Sequence, residues 1–159
     1  MITLAELISR YSTSGKLVWI GTRPARRQPM IAHSKIMIEE KGLEGDRTTR
    51  PSNRSITLIQ QEHLGAIASL SNKSEIFPEA LRRNLVVSGI NLLALKDQQF
   101  QIGEVLFQGT GICAPCSRME ETLGNGGYNA VRGHGGITAK VLKVGTISID
   151  DAVVPVSSI

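Results

Sequence analysis

The sequence predicts a mainly β fold with short helices, its strands wrapped into a closed or partly closed β-barrel. Three observations lead there. Aromatic residues make up only 4% of the chain, which leaves the core to Val, Ile and Leu, side chains that suit strands. At least seven short apolar runs recur, each bounded by glycine, proline or a polar turn. These runs do not alternate with long helices, which argues against a parallel doubly wound sheet and for a barrel with helices at its mouth. At 159 residues the chain suits a single domain, residues 1–159, with a sizeable core.

The elements follow in order. Thr3 to Tyr11 reads as a helix, with Thr3 and Glu6 as a capping box and Leu4, Leu7, Ile8 and Tyr11 on one face. "GKLVWIGTRP" reads as a strand stopped by Pro24, and "TRPARRQPM" as a basic, proline-flanked loop. "KIMIEEKGLEGDR" is a strand running into a glycine-punctuated turn. "RSITLIQQ" is a strand with Ile56 and Leu58 on one face, and Gln60 to Leu70 a helix carrying Leu64, Ile67 and Ala68. Pro78 to Arg83 gives one or two helical turns before the strand "NLVVSGINL". "QQFQIGEVLFQGTGIC" divides into two strands near Gly103. Ser117 to Leu123 and Tyr128 to Arg132 read as short helices. "GGITAKVLKVGTISIDDAVVPV" reads as strand, tight turn, strand, and a last strand limited by Pro155.

Hydrophobic residues at 41% and charged residues at 20% are ordinary for a soluble globular protein. No apolar run approaches the roughly 20 residues that span a bilayer. The N-terminus lacks the basic start and apolar stretch of a signal peptide, so a cytoplasmic protein without membrane contact is expected. The net charge of +4 is carried largely by arginine, whose planar fork of donors suits phosphate and carboxylate. With no lysine-rich tail and no aromatic ladder to stack bases, a small anionic ligand fits this charge better than nucleic acid.

Both cysteines fall in one C-x-x-C, Cys113 and Cys116, which admits a redox pair, half of a metal site, a single reactive sulfur or two buried thiols. The pair comes late in the chain, outside the β-α-β context of a thioredoxin-like site. His33, His63 and His134 lack zinc-finger spacing. Ser117 and Glu120 match a second capping box, with Met119 and Leu123 on the apolar side and Gly124 as terminator. Cys116 then stands just before the N-cap, where free amides, the helix dipole and Arg118 favour a thiolate.

Three further segments point to anion binding. "GLEGDR" turns sharply and projects Asp46 and Arg47. Arg82, Arg83 and Asn84 lead straight into a strand. "GNGGYNAVRGHGG" packs six glycines into thirteen residues and could wrap a ligand through its amides, or be only a loop. It lacks a P-loop's lysine and hydroxyl residue.

Taken in order, "GLEGDR", "RSITLIQQEHL", "RRNLVVSGINLLAL", "FQIGEVLFQGTGICAPCSRMEETLG" and "GHGGITAKVLKVGTISIDDAV" resemble a MOSC domain, most strongly over residues 18–155. The family is named for the C-terminal part of molybdenum-cofactor sulfurase. The resemblance implies a mixed β-barrel and a functional cysteine, which the "APC" match assigns to Cys116. In the family that cysteine carries sulfur as a persulfide or, in members similar to amidoxime-reducing proteins, ligates the molybdenum of a bound pterin cofactor. The arginine and asparagine before a strand match Arg82 and Asn84 and imply contacts to the cofactor; Arg83, Arg47, Ser117 and Arg132 are the further candidates. The resemblance therefore implies a molybdenum-cofactor-binding protein, an oxidoreductase for N-hydroxylated compounds, with a persulfide sulfur carrier or a non-catalytic cofactor carrier as alternatives. Its partners would be a small-molecule substrate and a separate electron-donor protein or cysteine-desulfurase-type sulfur donor. No aminotransferase-like part is present, so this chain is not expected to bind pyridoxal phosphate covalently. Relatives usually follow G-D-R with histidine; Thr48 stands there here, so no metal role is assigned at that spot.

Overall fold

The computed structural model describes residues 1–156. Seven strands close a mixed barrel in the order β1-β11-β7-β8-β9-β5-β6, returning to β1. They are β1 (Gly15–Thr22), β5 (Ile56–Gln60), β6 (Leu85–Ser88), β7 (Gln99–Ile102), β8 (Val105–Ile112), β9 (Ile137–Lys143) and β11 (Ala152–Val156). Only the β5–β6 pair is parallel, because α2 (Gln61–Leu70) and α3 (Pro78–Leu81) form the crossover between them. β1 divides one edge between two partners: its start pairs with β11 and its end with β2 (Ile31–His33). A second sheet joins β10 (Gly145–Ser148), β3 (Lys35–Glu39) and the two-residue β4 (Gly42–Leu43).

Strand alternation divides the apolar residues into two sets. Ile56 and Leu58 on β5, and Leu85 and Val87 on β6, point into the barrel with Leu17, Ile20 and Ile137. Phe100 and Phe107, a cross-strand pair, stack there with centroids 5.3 Å apart. The intervening Ile59 and Val86 face outward, where they meet Ile67 and Leu81 from α2 and α3, Met119 and Leu123 from α4 (Ser117–Leu123) and Val131 from α5 (Gly127–Val131). The helices thus cover the barrel's outer wall rather than its mouth, since both faces of β5 and β6 are apolar and both need cover.

The first helix also differs from expectation. α1 spans only Leu4–Ile8 and buries no residue. Its capping box is present, Thr3 Oγ1 accepting from the Glu6 amide at 3.1 Å and Glu6 accepting from the Thr3 amide at 3.0 Å. The predicted apolar face stays in solvent, because a helix this short carries its stripe no further than Ile8. Only Tyr11 is anchored, donating to the Ala94 carbonyl at 2.9 Å. β2 and a 3₁₀ turn at Leu92–Leu95 add to the predicted elements, and β11 runs on through Pro155, which sits opposite Phe100. Among the described residues no helix is long and apolar enough to cross a membrane.

Candidate functional site: an arginine-lined cleft around Cys116

The cleft grows from a buried polar knot. Arg23 follows the end of β1, Asp46 follows β4, Thr57 lies on β5 and Asn84 precedes β6. The Asp46 carboxylate is fully buried and accepts five hydrogen bonds. Oδ1 takes the Arg23 amide at 2.7 Å, Arg23 Nε at 3.3 Å and Asn84 Nδ2 at 3.3 Å. Oδ2 takes Arg23 Nη2 at 3.0 Å and Thr48 Oγ1 at 2.9 Å. Burial pushes the carboxyl up, but the hydrogen bonds and charge of Arg23, with the Thr48 hydroxyl, outweigh it and hold Asp46 below the ordinary aspartate value.

Asn84 is fully buried too, and its amide is spent inside the protein. Oδ1 accepts from the Thr57 amide at 3.1 Å and Thr57 Oγ1 at 3.2 Å, while Nδ2 donates to the Gly21 carbonyl at 3.2 Å and to Asp46. Asn84 ties β1, β5 and the Asp46 turn together beneath the cleft. Arg83 is likewise turned inward, donating to the carbonyls of Gly135 at 2.9 Å and Leu81 at 2.9 Å, though part of it still lines the cleft.

Above the knot lies a cleft of about 240 Å³. Cys116, Arg47, Arg54, Arg82 and Arg118 line it with Arg23 and Arg83. It runs into a hollow of about 420 Å³ around Thr48, Arg50, Ser52 and Arg54; Arg23, Arg47, Arg54 and Thr57 belong to both. A third hollow, about 340 Å³, branches off at Cys116 and is bounded by Arg26, Arg27, Arg47, Ser117, Arg118 and Glu121. Nine of the chain's eleven arginines line these three spaces, and among the described residues Glu121 is the one carboxylate on their walls. Another cavity, about 440 Å³, lies elsewhere, between Ser9–Ser14 and β7–β11, and among the described residues no charged side chain lines it.

Arg82 shows how tightly the charges crowd. Its backbone is left-handed, φ 56°, at the end of α3. From there the guanidinium reaches the loop between β1 and β2, donating to the Gln28 carbonyl at 2.6 Å and the Ala25 carbonyl at 3.2 Å. Burial, then repulsion from Arg118, Arg23 and Arg47, lowers its proton affinity, and Asp46 offsets only part of this. The cleft thus carries a large excess of positive charge.

The two cysteines differ sharply. Cys113 is 3% exposed, with its amide bonded to the Gly136 carbonyl at 2.9 Å, whereas Cys116 is exposed. Residues 113–116 form no turn or bend. Both cysteines are free thiols. Among the described residues no three His, Cys, Asp or Glu side chains converge on a shared point.

Local structure around Cys116 corrects two further expectations. The helix begins at Ser117, so Cys116 itself is the N-cap, in extended conformation and without a side-chain cap bond. Glu120 does not reach back. Its carboxylate turns forward to accept from the Gly126 amide at 2.9 Å and the Tyr128 amide at 3.0 Å, and these bonds hold it below the ordinary glutamate range. The amides of the glycine-rich segment are therefore partly claimed from within. Gly135 and Gly136 are small for packing: a Cβ at Gly136 would overlap the Leu58 carbonyl, and one at Gly135 the Cys113 carbonyl. Arg132 lies outside the three hollows, with its guanidinium 3.3 Å from Asn129 Oδ1.

The structure brings Cys116, Arg47, Arg82, Arg83 and Ser117 to the connected hollows. It adds Arg118, which the sequence already placed beside Cys116, and Arg23, Arg54, Thr48 and Thr57, which sequence reasoning did not single out as site residues. One signal was present: Thr57 is a polar residue in the middle of an otherwise apolar, buried strand.

Comparison with known proteins agrees with this architecture. A profile of the MOSC domain matches residues 43–154. No curated protein sequence matches the chain. Among solved structures, the YuaD protein of Bacillus subtilis superposes with a TM-score of 0.79 at 18% identity, covering 91% of this chain and 97% of that one. YiiM of Escherichia coli gives 0.72 at 20% identity, covering 91% and 71%. YiiM of Geobacillus stearothermophilus gives 0.69 at 16% identity, covering 90% and 75%.

Proposed function

The chain belongs to the MOSC domain family, and from that premise we propose that it binds a molybdenum cofactor in the arginine-lined cleft, with Cys116 as the protein's ligand to the metal. One observation carries the reading: the exposed thiol of Cys116 opens into a cleft walled by six arginines and joined to a second arginine-lined hollow. The donor set fits the group. Cys116 offers one soft ligand, and among the described residues no group of three or more His, Cys, Asp or Glu side chains gathers around it, as suits a metal whose remaining ligands come from an organic cofactor. When bound, such a cofactor supplies two-electron chemistry suited to reducing N-hydroxylated compounds.

The chain's own residues bind and orient. Arg47, Arg50 and Arg54, beside the hydroxyls of Thr48, Thr49 and Ser52, would hold the cofactor's terminal phosphate. Arg23, fixed by Asp46, keeps its charge on the floor of the cleft without competing for a flexible geometry. Arg82 clamps the Ala25–Gln28 loop in place beside the thiol. In this reading a separate protein delivers the electrons.

The test is a metal and pterin analysis of protein made in a cofactor-competent cell, compared with Cys116→Ala. Molybdenum and pterin near one per chain, with molybdenum lost in the variant, are expected. Wild-type protein carrying neither would overturn the proposal; sulfane sulfur on Cys116 in that preparation would indicate a persulfide carrier instead.

A further inference from the structure

One cofactor phosphate does not account for the charge in these hollows. Two or three guanidinium groups satisfy the oxygens of a phosphate monoester. Yet among the described residues Arg26, Arg47, Arg50, Arg54 and Arg118 form no ion pair at all. The hollows are also arranged as a trough with a branch. The cleft and the Thr48–Arg54 hollow adjoin through Arg23, Arg47, Arg54 and Thr57, whereas the Arg26–Arg27 hollow adjoins the cleft on another side, through Arg47, Cys116 and Arg118.

We propose that this branch, bounded by Arg26, Arg27, Arg47 and Arg118, is a second anion subsite that takes the phosphate group of a phosphorylated substrate and sets its reacting end beside Cys116. The inference rests on the cofactor reading only for the word substrate; the anion subsite stands on the geometry itself. A carboxylate needs one guanidinium fork. Even with Arg47 left to the cofactor, three guanidiniums, those of Arg26, Arg27 and Arg118, and the Ser117 hydroxyl around one space match the several oxygens of a tetrahedral phosphate better. The volume, about 340 Å³, leaves room for part of the organic remainder. Glu121 opposes the anion, but it is engaged with Arg27 at 3.6 Å in a pair exposed on both sides, so a phosphate can displace it at little cost.

The probe is inorganic phosphate, titrated into cofactor-free protein and followed by two-dimensional NMR of backbone amides and arginine Nε groups, with acetate and chloride in parallel. Two independent sets of saturating shifts are expected, one at Ser117, Arg26, Arg27 and Arg118 and one at Thr48–Arg54. Arg26→Gln/Arg27→Gln should weaken phosphate binding at the first set at least tenfold and leave the second within twofold; Arg50→Gln/Arg54→Gln should do the reverse. Acetate should bind the first set at least tenfold more weakly. Shifts confined to Thr48–Arg54, equal weakening of both sets by either double variant, or a response to chloride matching that to phosphate would each overturn the subsite. Acetate binding as tightly as phosphate would overturn the phosphorylated class. Molybdenum content of Arg26→Gln/Arg27→Gln should equal that of wild type; its loss would mean these arginines serve the cofactor, and would also overturn the subsite. Absence of molybdenum from wild-type protein overturns the proposed function and leaves the phosphate titration standing.

Discussion

Arg23 and Asp46, 23 positions apart in sequence, meet in a two-pronged buried ion pair, with Nη2 to Oδ2 at 3.0 Å and Nε to Oδ1 at 3.3 Å, and the Arg23 backbone amide adds a hydrogen bond to Oδ1 at 2.7 Å. The pair fixes the turn after β4 against the end of β1, and the floor of the Cys116 cleft is built on that junction. Removing one partner strands the other in a site nearly closed to solvent. Asp46→Ala should therefore lower stability by about 3 kcal/mol, read from urea unfolding at neutral pH. A loss below about 1 kcal/mol would show that the junction is held by other contacts.

The same carboxylate sets an acid limit. Its folded-state value lies below the unfolded one, so its contribution is fully present above the unfolded aspartate value of about 3.9 and fades as pH falls through the folded value. Wild-type stability should drop below about pH 4, and the difference between wild type and Asp46→Asn should shrink over that interval. A difference constant from pH 6 to pH 2 would contradict the assignment.

Cys116 and Cys113 should separate by function. Cys116→Ser is expected to keep the fold, since the thiol is exposed, and to lose molybdenum retention. Cys113→Ser places a hydroxyl where the sulfur is buried, and should cost about 1 to 3 kcal/mol while retaining the metal. Equal loss of molybdenum in two folded variants would point to a shared two-cysteine site.

Arg82→Ala should loosen the loop that carries Arg26 and Arg27, because both hydrogen bonds to the Ala25 and Gln28 carbonyls vanish. Trypsin cleavage after Arg26 and Arg27 should quicken severalfold, with the rest of the digestion pattern unchanged. Unaltered cleavage would mean that the loop is held elsewhere.

Gly136→Ala tests the packing of the glycine segment. The backbone is at φ 88°, and an added Cβ would overlap the Leu58 carbonyl on β5. A loss of several kcal/mol is expected, whereas Gly133→Ala, with open space around it but φ 80°, should cost about 1 kcal/mol. Equal losses would show that backbone strain alone, not contact with β5, requires glycine at Gly136.

The strands were legible because each carries its own signal: β-branched runs at period two, closed off by glycine or proline. The position of Cys116 before a short helix was legible for the same local reason. The buried knot was not, because nothing near Asp46 in sequence announces that Arg23 will be carried beside it from another strand. Ser117 and Glu120 have the spacing of a capping box, but spacing does not decide between competing partners; the Gly126 and Tyr128 amides, on the next loop, claim the glutamate. The cofactor contact expected of Asn84 comes from the resemblance alone; that its amide also closes a gap between β1 and β5 at a strand start depends on partners distant in sequence.

The pairing of Gly15 with Val153 joins the first strand of the barrel to the last. Closure is thus a contact of high order, and on the ribosome it waits until β11 has emerged, more than 130 residues after β1. Before then β1 offers an unpaired edge, and newly made protein is most prone to edge-to-edge association in that interval. The same adjacency brings the two ends of the barrel's chain side by side. A circular permutant that links them and opens the chain at the exposed Gly103–Glu104 turn should keep every barrel pairing while changing the order in which they form.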